Sequence, residues 1–169
     1  MPRRLILVIV ALVAFAGCGG SEASGPRDQG KVARITDGDT IRVRMNAGPE
    51  ERVRLIGIDT PEVHGQGGLR ECFGKEASAE LTRLIPPGTV VRLVIDVEAR
   101  DRYGRLLAYV YRVQDDLHVN LEMARHGFAA ALTVPPNVAF TDAFVRAAAD
   151  AREADRGLWS ACGGPDKAI

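Results

Sequence analysis

Apolar and polar residues alternate in several short stretches of the chain, a pattern typical of half-buried β-strands. Between residues 40 and 45, for example, every second side chain is apolar. Asp37-Gly38 predicts a hairpin turn before that stretch, because both residues tolerate positive φ. The alternation predicts five strands, over residues 31–36, 40–45, 51–58, 89–97 and 106–113.

Helical spacing of apolar residues appears in three other stretches. The first runs from Gly74 to Ile85 and is stopped by Pro86-Pro87-Gly88. Asn120 is predicted to cap a short helix that ends at Gly127, and Thr141 to cap a longer one that runs to Gly157. Because the strands and helices do not alternate as βαβ units, they predict an α+β fold with a small closed barrel, for which an OB-type barrel is one solution.

The N-terminus has a basic start at Arg3 and Arg4, followed by an apolar run over residues 5–15. This run is about half of the ~20 residues that a membrane-spanning helix needs, so residues 1–17 are predicted to be a secretory signal peptide. The segment ends in Ala16-Gly17-Cys18, which resembles the lipobox of bacterial lipoproteins. The resemblance implies lipidation of Cys18, export, and anchoring to the outer face of the bacterial cell membrane. An ordinary cleaved signal with an incidental cysteine is the alternative.

Composition changes after the signal peptide and predicts the domain organisation. Residues 18–30 would hold the lipidated cysteine and a Gly/Ser-rich flexible tether. Residues 31–162 are the right size for one domain with its own core, and residues 163–169 are expected to be a disordered tail. We expect this domain to be monomeric.

The formal net charge of the chain is zero. Removal of the signal peptide takes away two arginines and leaves a slightly acidic protein. Such a protein is not expected to hold nucleic acid by bulk electrostatic attraction, although a local arginine cluster remains compatible with it.

Three cysteines are present in the chain. If Cys18 carries lipid, Cys72 and Cys162 remain as a pair, and in an oxidising exterior such a pair usually forms a disulfide. Two free buried thiols are the alternative. A zinc site is not expected, because the two cysteines lack a CxxC motif and a nearby histidine.

Three polar segments stand out, although each is ordinary alone. They are Asp37-Gly38-Asp39-Thr40, residues 54–62 (RLIGIDTPE) and residues 101–105 (DRYGR). In this order and spacing they resemble the staphylococcal nuclease family, from about Val32 to Trp159. Further matches lie at residues 74–78, 107–111 and 157–159. The resemblance implies a five-stranded OB-fold β-barrel packed with three α-helices, and a nuclease that hydrolyses DNA or RNA to 3′-phosphate and 5′-hydroxyl ends.

The same resemblance assigns roles to individual residues. Asp39, Asp59 and the Thr60 carbonyl are expected to bind Ca²⁺, and oxygen-only ligands favour Ca²⁺ or Mg²⁺ over zinc. Glu62 matches the general base. Arg54 and Arg105 match the arginines that hold the phosphate, since a guanidinium can meet two phosphate oxygens at once. Arg102 and Tyr103, in the turn before Arg105, are expected to contact the substrate.

Two features of the sequence qualify this picture. Strict strand alternation would place Arg54 and Asp59 on opposite faces, so the strand must end or bulge between them, and Gly57 is the expected place. The family also has two tyrosines that pack against the nucleotide, whereas residues 132–137 here contain no aromatic side chain. Thr133 and Pro135 stand in the matching places, and Phe140 is the alternative source of a ring.

Two other functions are compatible with parts of the sequence. A catalytically inactive OB-type binding module would be expected to lack the carboxylates and arginines that this chain retains. A structural or adhesive lipoprotein is favoured only by the anchor and the near-neutral charge. The three histidines have no metal-binding spacing and are expected to be structural or surface residues.

Overall fold

The computed structural model describes residues 26–63, 71–165 and 167. The predicted signal peptide, Cys18 and most of the predicted tether lie outside this part of the chain. Within it, none of the helices is both long enough and apolar enough to cross a membrane.

Short strands form the barrel and its extensions. They are β1 Gln29–Asp37, β2 Thr40–Met45, β3 Glu50–Leu55, β4 Gly57–Asp59, β5 Val90–Val94, β6 Leu106–Arg112, β7 Leu117–His118 and β8 Ala130–Leu132. The strands β3, β2, β1, β5 and β6 are hydrogen-bonded in that order, and a parallel pairing of β3 with β6 closes the sheet into a barrel. The other pairings in the barrel are antiparallel. The predicted five-stranded OB-fold barrel is therefore confirmed.

The barrel is filled by the inward-facing residues of its strands, as the alternation predicts. On β2, Ile41 and Val43 are fully buried, and on β3, Val53 and Leu55 are fully buried. Burial of each such side chain away from water stabilises the folded state by about 1.5–3 kcal/mol. The polar residues between them face outward and form the surface of the barrel.

Gly57 divides the predicted strand 51–58 into two. β3 ends at Leu55, and β4 begins at Gly57 and pairs with β8 instead of continuing in the barrel. The φ of Gly57 is +84°, and a Cβ at this position would overlap the ring of Phe144. Glycine is therefore required both by conformation and by space, and the predicted interruption between Arg54 and Asp59 is present.

The β1–β2 hairpin differs in detail from the prediction. Asp37 pairs with Thr40, so the two loop residues are Gly38 and Asp39. Gly38 does not adopt a positive φ. Glycine is needed there because a Cβ would lie 2.7 Å from Thr60 Oγ1.

Among residues 26–63, 71–165 and 167, the three predicted helices are present and a short fourth one follows them. They are α1 Gly74–Leu84, α2 Val119–Arg125, α3 Thr141–Glu153 and α4 Leu158–Cys162. His118, not Asn120, occupies the N-cap of α2, and Phe140, not Thr141, occupies that of α3. The predicted helix to Gly157 ends instead at Glu153, and α4 follows as a separate short helix.

Residues at both ends of the domain form hydrogen bonds with its interior elements that the sequence does not predict. Gln29 and Gly30, the last residues of the predicted tether, pair with β5 as part of β1. The predicted disulfide joins Cys72, before α1, to Cys162 at the end of α4, with Cα atoms 6.0 Å apart. Beyond it, the carbonyl of Lys167 accepts a hydrogen bond from the Cys72 amide.

Candidate active site

Three of the predicted site residues meet at the guanidinium of Arg54. Its Nη1 lies 2.9 Å from Asp39 Oδ2, and its Nη2 lies 2.8 Å from Asp59 Oδ1. Nη1 also donates to the main-chain oxygens of Leu55 and Ile58. One side chain therefore spans the interruption between β3 and β4 and brings together the two carboxylates that are separated by 20 positions in the sequence.

Asp39 is held in place by its neighbours on all sides. Thr40 Oγ1 donates to its Oδ1, while the Thr60 amide and hydroxyl both donate to its Oδ2. The Leu55 amide donates to its main-chain oxygen over 2.8 Å. Because Asp39 is only 8% exposed, these contacts supply the hydrogen bonds that a buried carboxylate requires.

The donor set fits a hard divalent cation by its chemistry. Asp39 and Asp59 supply carboxylate oxygens, and Thr60, which contacts Asp39 directly, supplies a main-chain carbonyl. Across residues 26–63, 71–165 and 167, no three His, Cys, Asp or Glu side chains form a metal-binding group. A cation bound here would therefore have the two carboxylates and one main-chain carbonyl as its protein ligands.

Glu62 follows these residues and lies in a strongly acidic environment. Its amide donates to Glu71 Oε2 over 2.8 Å. Partial burial raises the pKa of the Glu62 carboxyl, and the negative charges of Glu71, Asp37, Asp39 and Asp59 raise it further. A raised pKa makes the carboxylate a stronger base, which suits the predicted role.

Arg54 and Arg105 line one cleft, of about 450 Å³, on the outside of the barrel. Arg105 Nε lies 2.6 Å from Asp101 Oδ2, and the Arg105 amide donates to Asp101 Oδ1. Burial alone would raise the pKa of the Asp101 carboxyl, but these hydrogen bonds from Arg105 hold that pKa below its usual value. Asp101 thus stays ionised and fixes the direction of Arg105.

The two predicted substrate contacts also line this cleft. Tyr103 is 62% exposed, and its hydroxyl accepts a hydrogen bond from Arg102 Nη2. Arg102 Cζ lies 4.8 Å from the centre of the Tyr103 ring, and Arg105 Cζ lies 5.6 Å from it. The turn therefore presents an aromatic ring and two guanidiniums together.

Aliphatic side chains also line this cleft. Leu132 and Val134 line the cleft and are 40% and 57% exposed, whereas Thr133 is not among its lining residues. Phe140 packs against the core ring of Tyr109, 4.7 Å between centroids, and so does not supply the missing ring. Asn137 holds this segment by accepting hydrogen bonds from two main-chain amides, those of residues 97 and 98.

Sequence reasoning missed three residues that position the site. Asp101 fixes Arg105, and a carboxylate four positions before an arginine in a turn was the available signal. Asn137 had no such signal, because its partners are 39 and 40 positions away. Asn120 is fully buried and donates to the main-chain oxygen of Ile56, at the β3–β4 junction; its place at the start of a helix predicted only a cap.

Comparison with known proteins agrees with this geometry. The family described as "Staphylococcal nuclease homologue" matches residues 52–161. The thermonuclease of Staphylococcus hyicus is 33% identical over 92% of this chain and 95% of its own, and that of Staphylococcus intermedius is 38% identical over 76% and 74%. Endonuclease YhcR of Bacillus subtilis is 32% identical over 78% of this chain and 11% of its own. The chain therefore belongs to the staphylococcal nuclease family.

Proposed function

We propose that this protein is a calcium-dependent endonuclease that leaves 3′-phosphate and 5′-hydroxyl ends. Membership of the staphylococcal nuclease family makes it a nuclease, a hydrolase acting on phosphodiester bonds. The proposal adds the metal, the residue roles and the products. The observation that carries it is the meeting of Asp39 and Asp59 at Arg54, which lines a cleft together with Arg105.

In the proposed reaction, Glu62 accepts a proton from the water that attacks phosphorus. The water oxygen forms a bond to phosphorus, the bond from phosphorus to the 5′ oxygen breaks, and the departing oxygen takes up a proton from solvent water. The raised pKa of Glu62 brings its basicity closer to that required near neutral pH. Ca²⁺ bound by Asp39, Asp59 and the Thr60 carbonyl would supply positive charge that acidifies and orients this water.

Arg54 and Arg105 neutralise the negative charge that develops on the phosphate oxygens. Both are held by carboxylates, Arg54 by Asp39 and Arg105 by Asp101. Their positions are thus fixed before the substrate arrives, which is the condition for effective electrostatic stabilisation of a transition state.

Hydrolysis of DNA and RNA, with and without chelator, tests the proposal. We expect activity to vanish in chelator and to return with Ca²⁺ but not with Zn²⁺, and the products to carry 3′-phosphates. Binding is tested separately, because Ca²⁺ should raise the thermal midpoint of the wild type but not of Asp39→Asn/Asp59→Asn. Full activity in chelator would refute the mechanism, and binding of DNA without cleavage would indicate an inactive OB-type module.

We further propose that the protein is exported and lipid-anchored through Cys18 to the outer face of the cell membrane. The disulfide between Cys72 and Cys162 supports an oxidising compartment and leaves Cys18 as the third cysteine. A Cys18→Ser form should appear in the soluble fraction, whereas the wild type should partition with membranes. Equal partitioning of the two forms would contradict the anchor.

A further inference from the structure

A row of arginines crosses the outer face of the barrel. In the strand registers, Arg34 of β1 lies opposite Arg42 of β2, and Arg42 lies opposite Arg52 of β3. Residues directly opposite each other on neighbouring strands share one face of the sheet. Since neighbouring strands are about 4.8 Å apart, the three side chains leave the sheet within about 10 Å of one another.

The charges of this row are poorly neutralised by the protein. Arg42 has one weak partner, with its Nη1 3.7 Å from Glu50 Oε1. Arg34 and Arg52 are exposed, and neither makes an ion pair or a side-chain hydrogen bond with any residue that the structure describes. Like charges directly opposite each other destabilise a sheet. The arrangement therefore lowers the stability of the barrel unless an anion lies over it.

The arginine row continues into the candidate active site. Arg52 is two positions before Arg54 on β3, which places them on the same face about 7 Å apart. Arg54 lies opposite Thr40 in the same register that pairs Arg42 with Arg52. An anion that extends from the phosphate position at Arg54 would therefore meet Arg52 first, then Arg42 and Arg34.

We propose that this face binds the sugar–phosphate backbone of the nucleic-acid strand that is being cleaved, beginning at the phosphate next to the reacting one. The inference rests on the proposed nuclease function and adds a second, extended contact to it. A polynucleotide has the regularly repeated negative charge that a row of guanidiniums fits, and it must pass close to Arg54 to be cleaved. The net charge of zero makes such a local basic surface the main source of attraction for long substrates.

The contribution of the arginine row to binding can be measured through salt dependence. Each phosphate contact with a single strand contributes about 0.7 to the slope of log affinity against log salt. Loss of two contacts should reduce the slope by about 1.4, that is, two times 0.7. The effect of raising salt from 50 to 200 mM should then be about sevenfold smaller for the variant than for the wild type.

The test compares Arg34→Gln/Arg52→Gln with the control Arg146→Gln/Arg152→Gln. Both control arginines are exposed on α3, so the net charge changes equally. The substrates are a 30-nucleotide strand and a mononucleotide nitrophenyl phosphodiester that occupies only the cleft. We expect Arg34→Gln/Arg52→Gln to raise KM and lower the salt slope for the 30-nucleotide strand alone, with kcat unchanged. A KM and slope equal to those of the control would overturn the inference.

Two further measurements keep the outcomes distinct. If the wild type cleaves neither substrate, the proposed function fails. The arginine row can then still be tested by fluorescence anisotropy, which measures binding of the 30-nucleotide strand. Arg34→Gln/Arg52→Gln should bind this strand more weakly than the wild type does. Vesicles with 30 mol% phosphatidylglycerol test a membrane instead. If Cys18→Ser protein binds them through Arg34 and Arg52, while KM for the 30-nucleotide strand is unaffected by these residues, the inference is wrong.

Charge reversal separates binding from folding. Arg52→Glu places a carboxylate opposite Arg42, so it should raise the thermal midpoint of the protein while raising KM for the 30-nucleotide strand further than Arg52→Gln does. A raised KM accompanied by a lowered thermal midpoint would show that Arg52 acts through stability, and would overturn the proposed contact.

Discussion

Arg54 Nη1 lies 2.9 Å from Asp39 Oδ2, and the two side chains are only 13% and 11% exposed. An ion pair that is this well removed from water is strong only as long as both partners are present, because either one alone would leave a desolvated charge. The same guanidinium also holds the main-chain oxygens on both sides of the β3–β4 interruption. The pair thus links the chemistry of the site to its local fold.

Arg54→Gln should therefore lower both activity and stability. We expect turnover to fall at least 100-fold, the scale for loss of one transition-state donor, and the free energy of unfolding to fall by about 3 kcal/mol. Urea denaturation and initial rates measure the two effects. Arg102→Gln is the control for stability, because Arg102 is exposed and its side chain has no carboxylate partner among the residues described. Equal stability of the two variants would contradict the structural role of Arg54.

Glu62→Gln should reduce turnover by roughly 10²–10⁴-fold, the usual effect of losing a general base. The fold should remain intact, since Glu62 is exposed and the hydrogen bond to Glu71 involves its main-chain amide. Glu76→Gln, an equal change of charge at an exposed position in α1, is the matched control. A Glu62→Gln enzyme with nearly wild-type turnover would refute the assignment of the base.

Stereochemistry explains how far the sequence could predict this structure. Alternation located the five barrel strands, because a side-chain period of two is imposed by the pleat itself. The same rule showed that Arg54 and Asp59 could not share a face without an interruption, and Gly57 was the residue that could provide it. The ligand and base assignments came from the resemblance to a family, since no single motif specifies them.

The remaining features depend on partners that are distant along the chain. Asn120 was predicted to cap α2, but its side chain bridges Ile56, 64 residues away, and Ala108 and Val110 of β6. Local sequence shows a polar residue at a helix start and does not reveal such partners. The arginine row has the same cause, because it exists only through the register between β1, β2 and β3.

His118 should make stability depend on pH between about 6.5 and 4. Burial, with a smaller effect of Arg125, lowers the pKa of His118 to about 4, whereas the unfolded chain has a value near 6.5. Within this window the unfolded state binds more protons, so the free energy of unfolding falls as pH decreases, by up to about 2–3 kcal/mol.

Urea denaturation at several pH values measures this effect as the difference between the wild type and His118→Phe. The phenylalanine ring can keep the packing against Tyr111, whose ring centroid is 4.5 Å from that of His118. We expect the difference in the free energy of unfolding between the two proteins to change as pH falls from about 6.5 to 4 and to be constant above pH 6.5. A difference that does not vary with pH would contradict the lowered pKa.

The disulfide should account for a large part of the stability of the domain. It closes a loop between positions 90 apart, so Cys72→Ser/Cys162→Ser should lower the free energy of unfolding by up to about 4–5 kcal/mol on a chain-entropy estimate. Urea denaturation measures the loss, and reduced wild type should behave like the variant. Mass spectrometry of unreduced, alkylated protein should show both thiols blocked, and two alkylated thiols would contradict the pairing.

The aliphatic wall of the cleft should make nucleotide binding weak. Leu132 and Val134 line it, and stacking of a base on an aromatic ring contributes roughly 1–3 kcal/mol that these side chains do not provide. The wild type should therefore have a raised KM with ordinary turnover, and nucleoside bisphosphates should inhibit it weakly.

A single substitution can restore the missing ring. Because Val134 lines the cleft and Thr133 does not, Val134→Tyr should tighten binding of a nucleoside 3′,5′-bisphosphate by about 5- to 150-fold, whereas Thr133→Tyr should change it little. Calorimetry measures the affinities, and turnover should remain ordinary because the metal-binding and phosphate-binding residues are unchanged. If the wild type already binds tightly and neither substitution changes the affinity, the exposed ring of Tyr103, which also lines the cleft, is the stacking residue. Tyr103→Ala should then weaken binding.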